Sequence, residues 1–530
     1  MASRDVSSSS LPAPTAPEAP ARSGSAGLTR PAAAGVAAAL AGLGAAELAA
    51  ALFAPAGSPI LAVGALVIDL APAWLKELVI ALFGTGDKVV LVICVALGAL
   101  LLSVAAGMLE VRRPPVGRVL VAAAGALAVF AVLSRENTVT FDAMPAVLAM
   151  VVSAVLLTVM TTQLRRAPAG DAASAPDRRR FLAWAGAGAG LGVLAAAGGQ
   201  LISAGIRATD AARARFPLPA AAVPGSPIPA GAALDIPGLS PLITPNTDFY
   251  RIDTALTVPR IDPATWTLKI TGMVEQEVEI GFAELLALPL EESTTTLTCV
   301  SNAVGGDLIG NATWLGYPIR LLLAQARPLD GADMVLSRSE DGWTASTPLA
   351  VLTDRRNAIL AVGMNGEPLP LEHGYPVRMV VPGLYGYVSA TKWVVELNVT
   401  RFDQATAYWT TRGWTAQGPV KLSSRIDVPR RNADVRAGPV TVAGVAWSQH
   451  VGIRGVQVQV DDGEWNDASL ADPISVDTWR QWSWVWAAPA GRHTLRVRAT
   501  DAAGLVQTSE RRDVIPDGAT GLHSSPVTVA

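Results

Sequence analysis

The chain is predicted to fold in three parts: an α-helical membrane anchor, an α+β globular domain and a C-terminal β-sandwich. Three observations carry this. The long apolar runs almost all fall before residue 206, in a chain that is 51 % hydrophobic overall. Roughly 325 residues of ordinary soluble composition follow, more than one core usually spans, which implies two soluble domains. From about Pro419 onward, short alternating runs separated by turn residues replace mixed helix and strand patterns.

The first 30 residues are rich in Ser, Pro and Ala and read as a disordered tail. Residues 31–165 hold the anchor: spans at 33–53, 89–109, 117–133 and 143–164 are long enough to cross a hydrocarbon core. The stretch 59–83 is interrupted by Asp69, Pro72, Lys76 and Glu77 and reads as re-entrant or interfacial helices. Arg112, Arg113 and Arg118 mark one cytoplasmic loop; Arg165, Arg166 and the cluster Arg178 to Arg180 mark the next.

That second cluster opens Asp177-Arg178-Arg179-Arg180-Phe181-Leu182, followed by a Gly/Ala-rich apolar run to residue 206. It resembles a twin-arginine export signal leading into a last transmembrane helix. Positive-inside charge before an ordinary helix explains the same residues. Both readings place everything after residue 206 outside the cytoplasm, on the outer side of the cytoplasmic membrane. Residues 207–236, rich in Pro and Ala, are expected to form a semi-extended linker.

The net charge of −3, with no basic stripe carrying interleaved aromatics, excludes nucleic acid as a natural partner. In residues 237–415, Trp266 to Gly272 alternates like a strand, 282–288 and 319–326 are helical, and Thr296-Leu297-Thr298-Cys299 ends a second strand before a glycine-rich loop. Cys299 is the only cysteine in this part, and Cys94 lies in an apolar span, so no disulfide within the soluble part is available to it. A lone cysteine there is either a buried small hydrophobe or a reactive or metal-binding sulfur.

The surrounding blocks bear on that choice. Phe249-Tyr250-Arg251 precedes Cys299. Met364-Asn365-Gly366-Glu367-Pro368-Leu369-Pro370, then His373-Gly374-Tyr375-Pro376-Val377-Arg378, then Val381-Pro382-Gly383 with Thr391-Lys392-Trp393, follow it. In this order they resemble the sulfite oxidase family of molybdopterin oxidoreductases, from about residue 237 to 520. The resemblance implies an α+β sulfite-oxidase-type molybdopterin domain and, over 419–520, an immunoglobulin-like domain that dimerises in the family. It makes Cys299 the molybdenum ligand and puts His373 and Arg378 on the pterin. Ala390, Thr391 and Lys392 would hold the pterin or its phosphate, and Phe249, Tyr250 and Arg251 would border the metal. Arg251 aligns with the family's active-site arginine across a one-residue gap. A soft thiolate suits a metal that also carries a pterin dithiolene, and a phosphate calls for Arg, Lys and backbone donors.

Two departures bear on substrate. Sulfite-oxidising members follow the cysteine with a small residue, Asn and two arginines, whereas Asn302 is followed here by Ala303 and Val304. Trp414 aligns with the family's active-site tyrosine, and an indole can donate a hydrogen bond but cannot pass a proton as a phenol does. The chain thereby comes closer to the reductase branch that includes periplasmic methionine sulfoxide reductase.

All four histidines stand at or after residue 373, so the anchor offers no imidazole to a haem, and no haem is expected. Electrons are therefore expected to pass to a separate cytochrome, a quinone or a soluble carrier. The reading is a membrane-anchored molybdenum enzyme that moves an oxygen atom and two electrons to or from a small oxyanion or S-oxide. The alternatives are a periplasmic S-oxide reductase and a non-catalytic envelope assembly module.

Overall fold

The computed structural model describes residues 26–166, apart from 55–56, 73–74, 76–77, 80–81, 84–85 and 136–139, and residues 216–530, with isolated positions in between. Lys76, Glu77 and the twin-arginine-like motif at 177–182 lie outside the described residues.

Among the described residues the N-terminal part holds the helices α1 (Ala26–Phe53), α2 (Pro59–Leu70), α3 (Asp87–Arg112), α4 (Val116–Leu133) and α5 (Met144–Arg166). Among the described residues four helices are long and apolar enough to cross a membrane, at Thr29–Phe53, Asp87–Arg112, Val116–Leu133 and Thr140–Arg165. Residues 26–30, expected in the disordered tail, belong to α1. Once a long span nucleates, adding a turn of good helix formers such as Ala26 and Leu28 costs little. The short α2 starts on Ser58, whose hydroxyl accepts from the Leu61 amide, with Pro59 in the first turn.

Small residues let the helices touch. A Cβ on Gly35 would sit 1.9 Å from the Ser103 carbonyl oxygen, and one on Gly107 2.1 Å from that of Pro31, so α1 and α3 meet backbone to backbone. Glu110, fully buried, pairs with Arg118 at 2.9 Å across the turn between α3 and α4, which removes an otherwise costly isolated charge.

Two sheets build the next part. The first has the order β2 (Val278–Gly281), β1 (Thr267–Gly272), β10 (Val394–Thr400), β5 (Met334–Ser339), β6 (Thr344–Pro348), with β1 and β10 parallel. The second runs β3 (Glu291–Thr298), β4 (Ile309–Pro318), β7 (Ile359–Met364), β8 (Glu367–Pro368), and β9 (Arg378–Val380) also pairs with β7. One core containing Leu268, Ile270, Leu360, Met379 and Trp393 joins residues of both sheets. The helix Ile319–Ala326 falls where its apolar spacing placed it. The ten-residue β4 replaces much of the expected glycine-rich loop, because every side chain from 309 to 318 except Thr313 is buried and needs a strand's two packed faces.

The segment from residue 216, expected as a free spacer, is extended but fastened. The Ala222 amide donates to Leu290 O at 2.8 Å, the Glu292 amide to Val223 O at 2.9 Å, and Phe216 packs against Phe282.

From residue 423 two further sheets stack: β11 (Ser423–Val428), β13 (Gly438–Trp447), β17 (Arg480–Ala488) and β16 (Ser469–Leu470) against β12 (Ala433–Val435), β19 (His523–Val529), β18 (Gly491–Asp501), β14 (Ile453–Val460) and β15 (Trp465–Asp467). Val442, Trp482 and Trp486 from one sheet share a core with Val458, Leu495 and Val497 from the other. The C-terminal sheets also grip the edge of β3. The Thr296 amide donates to Asp477 O at 3.0 Å, the Trp479 amide to the Thr296 hydroxyl at 2.8 Å, and Gln449 Nε2 to the Thr298 hydroxyl at 2.8 Å.

Candidate active site

Cys299 stands one residue past β3, where its amide still donates to Leu308 O at 2.9 Å, and the Asn302 amide donates back to Cys299 O at 3.1 Å as the chain turns. The residue is 8 % exposed and lines a pocket with Tyr250, Arg378, Lys392 and Trp414. The turn that supplies Phe249 and Tyr250 lies over β4, and glycine at 310 makes this possible: a Cβ there would be 2.7 Å from the Phe249 ring. Phe249 stacks on Tyr250 at 5.2 Å and sets its edge against Trp314 and His373. Burial pushes the Tyr250 phenol far up, with the nearby Cys299 sulfur adding to it and Arg378 opposing, so Tyr250 stays protonated and can donate.

Arg378, on β9, is 4 % exposed. Its guanidinium donates to the carbonyls of Met379 at 3.3 Å, His373 at 3.1 Å and Ala390 at 3.4 Å, and lies 5.0 Å from the centre of the Trp314 ring. Burial lowers its pKa to about 10. Lys392 donates to Asp253 at 2.8 Å and to Glu372 O at 2.9 Å. Burial is the main cause that brings its pKa down to about 8, with Asp253 resisting. His373 accepts or donates at 3.3 Å to Asn246 O. Burial first, then Lys392 and Arg378, drive it down to about 3, so the ring is neutral at physiological pH.

The structure gathers Cys299, Phe249, Tyr250, Arg378, Ala390, Lys392 and Trp414 around one pocket, and three predicted site residues stand behind that wall. Arg251 turns to Asp253 at 3.1 Å; His373 lies at the edge of the Phe249 ring; the buried Thr391 hydroxyl bonds Ser337 at 2.7 Å.

Other functional groups escaped the sequence reading. Asp253, 7 % exposed in its side chain, joins Arg251, Lys392 and Lys88. Although burial pushes its carboxyl up, those three cations hold it well below the usual carboxylate range. Asp253 lies two residues after Arg251 in a block already singled out, so it was findable. Lys88 was not, since it comes from the first turn of α3, 165 residues away in sequence. Tyr387 also lines the pocket, its hydroxyl donating to Thr415 O at 2.6 Å and its ring 5.9 Å from that of Trp414.

A pterin-bound metal fits these residues. Among the described residues no group of three or more His, Cys, Asp and Glu side chains is placed to hold a metal ion. A metal at Cys299 must therefore bring most of its ligands with it. Arg378 is buried among backbone carbonyls and an indole, a cation suited to an anionic cofactor. The buried His373 Nδ1 has no hydrogen-bond partner in the protein.

Comparison with known proteins agrees. Residues 255–409 match the model of the oxidoreductase molybdopterin binding domain. The chain is 31 % identical over 315 residues to mitochondrial sulfite oxidase of Mus musculus, covering 50 % of this chain and 57 % of that one, and 31 % identical over 317 residues to the Homo sapiens protein. It thus spans little more than half the length of these relatives. It is 31 % identical over 157 residues to the uncharacterized oxidoreductase YuiH of Bacillus subtilis, covering 30 % of this chain and 76 % of that one. The sulfane dehydrogenase SoxCD of Paracoccus pantotrophus superposes with a TM-score of 0.49 at 23 % identity, over 54 % of this chain and 81 % of that one. With the lone cysteine, the buried cations and the sequence matches in hand, the chain belongs to the sulfite oxidase family of molybdopterin-dependent oxidoreductases.

Proposed function

We propose that this is a membrane-anchored molybdenum-cofactor enzyme, acting outside the cytoplasm, that transfers an oxygen atom between water and a small sulfur or other oxyanion substrate and exchanges the two accompanying electrons with a separate carrier. The observation that carries the reading is a single buried cysteine beside a pocket whose wall also holds Arg378 and Lys392. When bound, the cofactor supplies a metal that exchanges an oxygen atom together with two electrons. Cys299 would hold the metal, and Arg378 and Lys392 the pterin and its phosphate, with Ala390 and the His373 side behind them. Tyr250, kept protonated, offers an O–H to oxygen atoms of a bound substrate, and Phe249 fixes its ring. The aromatic walls exclude water, which strengthens each charge interaction inside.

The topology is supported by where the parts meet. The catalytic part touches the start of α3 through Lys88 and the end of α2 through Asp69, away from the Arg112 to Arg118 turn expected in the cytoplasm. We read residues 177–206 as a twin-arginine-like signal with a last transmembrane helix, 207–236 as linker, 237–415 as the molybdopterin domain, and 419–520 as an immunoglobulin-like domain through which the chain dimerises.

A second reading, reduction of an S-oxide, is favoured by one feature. Trp343, Trp409 and Trp414 line the pocket, a wall suited to an uncharged substrate, and in sequence Ala303 and Val304 stand where sulfite-oxidising members carry arginines. Purified protein assayed with sulfite against an electron acceptor, and with sulfoxides against a reduced dye, separates the two. Metal analysis tests what they share: molybdenum at one per chain is expected, and Cys299→Ser should abolish turnover with the fold intact, because a hydroxyl is a poor soft ligand. Full activity of Cys299→Ser with any substrate refutes the assignment.

A further inference from the structure

Between the helical bundle and the catalytic part lies a crevice of about 670 Å³. Its bundle side is built by Leu61, Ala65 and Ile68 of α2 with Ser134 and Arg135 just past α4, and the opposite side by 254–260 of the catalytic part. On the other face of α2, Val67 and Leu70 are 43 % and 76 % exposed, apolar surface that only lipid would cover favourably. The crevice therefore opens at the level of the membrane surface. Its far end reaches the metal pocket: Thr254, Asp341 and Trp343 line both cavities.

A polar cluster spans the two sides at one end. The Tyr408 hydroxyl donates to Asp69 at 2.7 Å, Arg412 donates to the same carboxylate at 3.1 Å, and the guanidinium lies 3.5 Å from the centre of the Tyr408 ring. Apolar walls at one side, hydrogen-bond donors and a carboxylate at the other, and direct adjacency to the redox pocket define what fits. The ligand has to be soluble in the membrane, flat and polar at one end, and able to take two electrons with two protons.

We propose that this crevice is the seat of a membrane quinone, the head on the Asp69, Tyr408 and Arg412 side and the tail running past α2 into lipid. The proposal rests on the oxidoreductase reading above and names its electron partner. The reaction balances without a further reactant: substrate and water give substrate plus one oxygen, two electrons and two protons, and quinone takes both pairs to become quinol. Asp69, 42 % exposed in its side chain, fixes the Tyr408 hydroxyl and the Arg412 guanidinium at this end, and Arg412, which has more N–H groups than Asp69 accepts from, would donate to the head oxygen. Trp343, in the shared wall, fills the space between the two sites with a conjugated ring.

The test uses the full chain in phospholipid vesicles and a decyl benzoquinone bearing an azide. Irradiation should attach the probe to peptides containing 61–69, 254–260 or 340–344. Ala65→Trp on the bundle side and Thr257→Trp on the catalytic side each fill the crevice away from the metal pocket. Each should cut labelling and quinone-linked turnover by about tenfold or more, while dye-linked turnover changes less than about twofold. Two plugs on opposite walls guard against misfolding of either one. Labelling elsewhere, labelling indifferent to both plugs, or turnover supported by a soluble cytochrome with no labelling at all overturns the proposal. A wild-type chain that labels in the crevice yet shows no dye-linked turnover refutes the oxidoreductase reading and leaves the seat standing.

Discussion

Replacing Asp253 by Asn should destabilise the chain far more than removing any one of the cations it serves. The carboxylate is 7 % exposed and meets Lys88, Lys392 at 2.8 Å and Arg251 at 3.1 Å, whose side chains are 17 %, 10 % and 31 % exposed. Losing the single anion leaves three cations facing one another with little water, a change of the kind that costs about 3–5 kcal/mol. Losing Lys88 alone, as in Lys88→Met, leaves Asp253 paired with Lys392 and Arg251, so no buried charge is orphaned and the loss is one contact of about 1 kcal/mol. At about 2–4 °C per kcal/mol for a unit of roughly 150–250 residues, Asp253→Asn should lower Tm by about 6–20 °C and Lys88→Met by about 2–4 °C. The assay is thermal unfolding of the purified full chain in detergent at one fixed scan rate. pH gives a second check. The Asp253 carboxyl is held below its ordinary value, so its stabilisation is complete above the unfolded pKa near 3.9 and fades as pH falls from there through the folded value. The gap between wild type and Asp253→Asn should therefore be constant from neutral pH to about 5 and narrow only below about 4. A Lys88→Met loss equal to or larger than that of Asp253→Asn would refute the view that one anion organises the cluster.

Three further outcomes follow from the same geometry. Lys392, brought down to about 8, should lose its charge as pH rises through that value, so cofactor release, followed by pterin fluorescence, should accelerate above about pH 8; the cofactor-free protein, whose unfolded lysine holds its proton to about 10.4, should gain stability over the same interval. Gly310→Val puts atoms against the Phe249 ring, where a Cβ alone already lies at 2.7 Å; a loss of about 1–3 kcal/mol in denaturant unfolding and a weaker grip on Tyr250, seen as lower turnover, are expected. Arg178→Lys combined with Arg179→Lys keeps the charge, so if the motif is an export signal, active enzyme outside the membrane should fall while helix orientation, read by protease accessibility, stays the same.

Much of this architecture was legible because it is written in local pattern. The four long helices announce themselves by unbroken apolar length, and the helix Ile319–Ala326 by its spacing. Cys299 was legible as a chemical oddity, and Arg378 and Lys392 through the blocks that carry them. What stayed hidden is set by distance in the chain. Nothing around Lys88 says that it will meet Asp253, and nothing around Asp69 says that it will meet Tyr408 and Arg412, since each pairing is made by the docking of two separately built parts. β4 was hidden because its start lies in the glycine-rich stretch after Cys299; in the structure Gly310 and Gly316 make room for neighbours, the Phe249 ring and the Leu360 carbonyl. The linker looked free because Pro and Ala carry no pairing signal, yet its backbone bonds to 290–292.

The hold of the C-terminal sheets on β3 sets an order of events during synthesis. Thr296 and Thr298, directly before Cys299, are secured by Gln449, Asp477 and Trp479, which emerge about 150 to 180 residues later. Until those residues have been made, the strand that ends at Cys299 lacks these hydrogen bonds along its outer edge, so a chain cut short before them would carry the cysteine on an unbraced strand.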